Sequence, residues 1–100
     1  MSDVKTMIAE REQVLDQLRG VLIERMRLER GRSEIDADAP LFGAGFALDS
    51  LDAVELVVCL DTMFGIDLPD SELRQYMRSL NTVTDLVIAH RRKFEDDHAG

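Results

Sequence analysis

Only one cysteine, Cys59, stands in the chain, so no internal disulfide can form, and a reducing cytoplasmic setting is expected. Tryptophan is absent, aromatic residues make up 5%, and there are two prolines in 100 residues. That scarcity argues against a β-sandwich and for a helical bundle folded as a single domain. No apolar run approaches the roughly 18 residues of a membrane span. The N-terminus has no apolar signal-peptide core and carries Asp3 and Glu10 early, so no targeting segment is expected. Between Ser33 and Leu73 there is no Lys or Arg at all.

Other absences bear on chemistry. Histidine occurs only at positions 90 and 98, and His90 falls on an apolar helical face, where a packed or rim residue is expected rather than a base. The lone Cys59 is not part of a metal-ligand set, and is expected as a half-buried residue at the edge of a helix face. Gly43-Ala44-Gly45 lacks the third glycine and the preceding strand of a phosphate-binding loop, so these glycines are expected to serve turns and close packing. Ser50 lies between Asp49 and Leu51, without the glycines of a hydrolase elbow. Neither a catalytic nor a metal site is expected.

What the chain does have is acid. The net charge is −8, and the stretch without Lys or Arg holds Glu34, Asp36, Asp38, Asp49, Asp52, Glu55, Asp61, Asp67, Asp70 and Glu72. Such a field repels nucleic acid and anionic lipid and attracts basic protein surfaces. Residues 1–30, in contrast, balance six acids with six bases.

Four segments carry helical periodicity. Val4, Ile8, Leu15, Leu18, Leu22 and Met26 recur at three-, four- and seven-residue spacing, interrupted by Arg11, and predict a first helix over about 3–30, with Gly31 after it and Gly20 on its solvent side. Residues 31–48 form a long loop whose Ile35, Leu41, Phe42, Phe46 and Leu48 are apolar enough to pack down. A second helix covers about 49–64, a short third about 70–78 behind Pro69, and a fourth about 82–95 with Val83, Leu86, Val87, His90 and Phe94 on one face.

The second helix organises the rest. Ala53, Leu56, Val57, Leu60, Met63 and Phe64 share one broad arc, wide enough for a core. Leu51, Val54 and Val58 form a separate apolar stripe beside Ser50, Glu55 and Asp61. A helix in a small bundle needs only one apolar face, so the second stripe is expected to meet a partner. Asp49 is a good N-cap, with Asp52 three residues on, and this leaves the Ser50 oxygen free.

Leu48-Asp49-Ser50-Leu51-Asp52-Ala53-Val54-Glu55-Leu56-Val57, supported by Phe64-Gly65-Ile66-Asp67-Leu68-Pro69 and Thr82-Val83, resembles the acyl carrier proteins over roughly Leu15 to Arg92. The resemblance implies an all-α four-helix bundle with a long first loop and a short third helix. It implies 4′-phosphopantetheine, taken from coenzyme A and attached to Ser50 next to Asp49, carrying acyl intermediates of fatty acid, specialised lipid or polyketide synthesis as thioesters. The protein would be a monomeric shuttle, not an enzyme. Its partners would be a phosphopantetheinyl transferase, then a ketosynthase, an acyltransferase and other acyl-chain enzymes with basic patches. Leu51, Asp52, Val54, Glu55, Val58 and Asp61 would dock them, and Leu56, Val57, Leu60 and Phe64 would line a slot for the acyl tail. The chain departs from the family pattern at Ala47, where a glycine is usual, in its extended first helix, and in Arg74 and Arg78 within a longer third segment. Those departures point to a dedicated carrier for a specialised pathway. A free-standing peptidyl or aryl carrier, or an unmodified helical adaptor using the Leu51/Val54/Val58 stripe, is the alternative.

Overall fold

A computed structural model describes residues 3–28, 31–42, 45–46 and 48–99, and side chains within these except those of Asp3, Arg32, Asp70 and 94–99. It is 70% helical. Four α-helices follow one another: α1 (Asp3–Glu24), α2 (Ser50–Phe64), α3 (Asp70–Tyr76) and α4 (Leu80–Ala99), with a 3-10 turn at Arg32–Glu34. No strand occurs among the described residues; Phe42 and Leu48 form one isolated bridge. The all-α bundle with a long first loop and a short third helix is the architecture found.

The core is built from one face of each element. Val14, Leu15, Leu18, Val21 and Leu22 of α1 meet Leu56, Cys59 and Leu60 of α2, Leu73 of α3, and Leu80, Val83, Leu86 and Val87 of α4. Removing this much apolar surface from water is the main driving force of the fold.

The first helix ends at Glu24, six residues short of the expected end. Gly31 is not its terminator. Arg27 takes a left-handed conformation, φ 55°, and the N–H of Leu28 turns back to the Leu22 carbonyl at 3.0 Å. This brings Leu28 and Met26 half-buried against the core, which a continuing helix would carry past it. The start of the stripe also differs: Val4 and Ile8 are exposed, and burial begins only at Val14. Gly20 is buried rather than solvent-facing; with no side chain it has little surface to expose. Arg11, which breaks the apolar spacing, ties α1 to α4. Its guanidinium donates to Asp85 Oδ1 at 2.7 Å and to the Asn81 carbonyl and Oδ1.

The loop before α2 folds down on the core through Ile35, Leu41, Phe46 and Leu48. It is fastened to the α3–α4 corner by Leu41 N–H to the Arg78 carbonyl, 2.9 Å, and by Asn81 N–H to the Ala37 carbonyl, 3.0 Å. Phe46 N–H also reaches the Pro40 carbonyl, and Leu48 N–H the Leu41 carbonyl. Glycine at 45 is required: a Cβ there would sit 1.9 Å from the Pro40 carbonyl oxygen. Residues 43, 44 and 47, and the side chain of Phe94, lie outside the described residues.

The later boundaries have local causes. Gly65, φ 68°, ends α2 in the left-handed conformation that glycine adopts without strain. Pro69 is the N-cap of α3. The fourth helix begins at Leu80, two residues early, because Ser79 and Thr82 cap it reciprocally: Ser79 N–H donates to Thr82 Oγ1 and Thr82 N–H to Ser79 Oγ. The Thr82 hydroxyl also donates to the Tyr76 carbonyl, joining the end of α3 to the start of α4.

Candidate functional site

Ser50 is the first residue of α2 and is exposed. Its position is set by the residue before it. Asp49, in extended conformation, accepts the Asp52 N–H on Oδ1 at 2.9 Å, and Asp52 Oδ2 accepts the Asp49 N–H at 3.0 Å. The short aspartate at the third helical position thus completes a full reciprocal cap. With Asp49 capping, the Ser50 hydroxyl has no hydrogen-bond partner among the described residues. The N–H groups of the first helical positions have no intrahelical acceptor, and the helix dipole is positive there.

Beside Ser50 opens a cavity of about 590 Å³. Asp49, Ser50, Ala53, Val54, Val57 and Val58 form its α2 wall, Leu73, Arg74 and Met77 the opposite wall, and Phe42 and Leu48 the loop side. Of Leu56, Val57, Leu60 and Phe64, the four residues expected to line an acyl slot, only Val57 is among the described residues lining this cavity. Leu56 and Leu60 are fully buried in the central core, and Phe64 is half-buried at the far end of α2, with the Arg91 guanidinium 5.6 Å from its ring centre. The cause is the rotation of α2: its buried arc is Leu56, Cys59 and Leu60, so the edge carrying Val54, Val57 and Val58 faces the opening. Cys59 is accordingly 1% exposed rather than half-buried, and burial raises its thiol pKa above the ordinary value, with Arg25 opposing and Glu55 adding to the shift. Met63, expected in the core, is 41% exposed in the last turn.

Leu51, Val54 and Val58 are 78%, 61% and 47% exposed, so the loop does not cover the stripe. Among the acids beside them, Asp61 is exposed, Asp49 and Asp52 are held in the cap, and Glu55 lies 3.4 Å from the Arg25 guanidinium. The cavity residues that sequence reasoning missed are Phe42, Leu48, Ala53, Leu73, Arg74 and Met77. Leu73 and Met77 carry a usable signal, the four-residue spacing that places them on one side of the third segment; nothing in the sequence sets that side against Ser50.

Residues 16–88 match the family model described as "Phosphopantetheine attachment site". The chain belongs to the acyl carrier protein family. Similar relatives named "Acyl carrier protein" come from Campylobacter hominis, 31% identical over 81 residues, covering 81% of this chain and 99% of the relative. Others are from Cyanidioschyzon merolae, 29% identical over 87% of this chain and 91% of the relative, and Rubrobacter xylanophilus, 29% over 82% and 96%. An acyl carrier protein of this family bears a covalently attached 4′-phosphopantetheine. No helix among the described residues is long and apolar enough to cross a membrane.

Proposed function

We propose that this acyl carrier protein bears its 4′-phosphopantetheine on Ser50 and shuttles acyl intermediates as thioesters between the enzymes of fatty acid, specialised lipid or polyketide synthesis. The observation that carries this is the division of labour at the start of α2: Asp49 caps the helix, and the exposed Ser50 hydroxyl beside it is unbonded among the described residues. Such a serine is open to a transferase. A phosphodiester there would sit at the positive helix end, next to N–H groups that lack an acceptor. The arm, when bound, supplies the thiol that holds the acyl group. The chain's own residues position it, and the cavity beside Ser50 gives a flexible acyl group a partly apolar place to fold back.

The same reading makes the protein a monomeric cytoplasmic carrier rather than a catalyst. Tethering raises the local concentration of the acyl group at each partner's active site. Leu51, Val54 and Val58 would supply the apolar contact to a phosphopantetheinyl transferase, a ketosynthase or an acyltransferase. Asp49, Asp52, Glu55 and Asp61 would speed encounter with basic patches on those enzymes. Arg25 would have to release Glu55 before that side chain could pair with a partner.

The test is intact mass after incubation with coenzyme A and a broad-specificity phosphopantetheinyl transferase. The wild type should gain one arm. Ser50→Ala should keep the same circular dichroism spectrum and gain nothing. An arm taken up by the alanine variant would remove the assignment, and a wild type that gains none would favour an unmodified adaptor.

A further inference from the structure

The cavity beside Ser50 has walls of Leu48, Ala53, Val57, Leu73 and Met77, and one cationic side chain, Arg74. Arg74 is exposed, and its guanidinium has no hydrogen-bond or ion-pair partner among the described residues. Among the described lining residues the one acid, Asp49, accepts the Asp52 N–H and belongs to the cap. An exposed guanidinium at the edge of an apolar cavity can exchange its bound water for an anion that enters, through its five N–H donors.

The chain path locates that cation. Leu41 N–H bonds the Arg78 carbonyl, and Phe42 bridges Leu48, so the Met77 end of the third segment lies by the loop that leads into Ser50. Arg74 comes one turn earlier in α3 and lines the same cavity as Ser50 and the loop residues Phe42 and Leu48.

We propose that Arg74 makes the cavity selective for acyl groups that end in a carboxylate. This rests on Ser50 bearing the arm. The apolar walls take the methylene chain, and the guanidinium takes the distal carboxylate through paired N–H donors. A plain saturated chain of equal length fills the same walls and leaves Arg74 unmatched. Since the pair forms at an exposed edge, its worth is that of a surface ion pair, which corresponds to a preference of about two- to fivefold.

The test charges the apo protein with octanoyl-coenzyme A or with the coenzyme A half-thioester of octanedioic acid, using a broad-specificity phosphopantetheinyl transferase that moves the acyl-phosphopantetheine to the serine and releases 3′,5′-ADP. The substrates have the same length and differ in the distal carboxylate. Intact mass first shows whether Ser50 is loaded. Cleavage of each thioester by hydroxylamine is then timed relative to its free coenzyme A thioester. In the wild type the octanedioyl form should be protected about two- to fivefold more than the octanoyl form. Arg74→Gln should bring the ratio to one, Arg74→Lys should restore part of it, and salt should shrink it. Equal protection of the two loads, or a ratio unmoved in Arg74→Gln, overturns the proposal. So does an amide spectrum of the unacylated arm-bearing protein that Arg74→Gln perturbs as strongly as the octanedioyl form, because the guanidinium would then hold the arm's phosphate. If no load appears on Ser50, the carrier assignment fails at the mass step and the selectivity falls with it.

Discussion

Val58→Arg separates a docking face from a core face. Val58 is 47% exposed and lies at the edge of the Ser50 cavity. Full burial of such a side chain stabilises by about 1.5–3 kcal/mol, so the half that is buried contributes roughly 1 kcal/mol. An arginine there would stand three residues from both Glu55 and Asp61, and each such helical pair returns about 0.3 kcal/mol. The net cost is below about 1 kcal/mol, and the melting temperature should fall by less than about 8 °C. Transfer is different, because a charged guanidinium would have to be buried under the partner. The kcat/KM for arm transfer, and for loading a ketosynthase, should drop about tenfold or more. Val58→Glu, of opposite charge, should also slow both steps, which isolates the apolar contact from the change in net charge. A loss of several kcal/mol in Val58→Arg would put Val58 in the core. Full stability with unchanged transfer would mean that partners dock elsewhere.

Other variants test the frame around the site. Gly45→Ala should lose about 3 kcal/mol in a urea titration, since its Cβ collides with the Pro40 carbonyl oxygen, a backbone atom that cannot swing aside; a loss below 1 kcal/mol would mean that the loop closes differently. Asp49→Ala removes the carboxylate that accepts the Asp52 N–H while keeping the backbone N–H that donates to Asp52, and should cost about 1 kcal/mol by the same measurement; an unchanged midpoint would leave the capping role to Ser50. Burial favours the neutral Cys59 thiol, so alkylation by iodoacetamide at pH 8 should be far slower than in the urea-unfolded chain. The linkage has one sign: the folded pKa is raised, so this contribution is complete below the ordinary thiol range and is lost only as pH rises through it.

The second helix was readable because its signals are local. Asp49, Asp52 and Gly65 each act through the backbone within a few residues, and they bound α2 where the sequence predicts. The end of α1 was not, because it is set by Arg27 in a left-handed conformation, which no residue type advertises, and by the distant core that draws Leu28 back. The same distinction runs through the site. The exposed stripe follows from helical angles alone, and Ser50 is singled out by the Asp-Ser-Leu pattern around it and the resemblance that pattern carries. The cavity needs the rotation of α2 against the third segment and the loop, which places Phe42, Leu73 and Met77 opposite Ser50. Leu56 and Leu60, chosen from the apolar arc of one helix, belong to the centre of the bundle for that reason.

The cap at Asp49 also bears on the order of events in the life of the chain. Had Ser50 been the cap, adding a group to its oxygen would have withdrawn an acceptor from the helix start, and maturation would have competed with folding. Asp49 holds that acceptor instead, in a bond that a group added next door does not touch. The chain can reach its final shape first and be modified afterwards. A transferase would then meet a finished helix end as its substrate, and quality control on the bare chain would judge the same scaffold that later works.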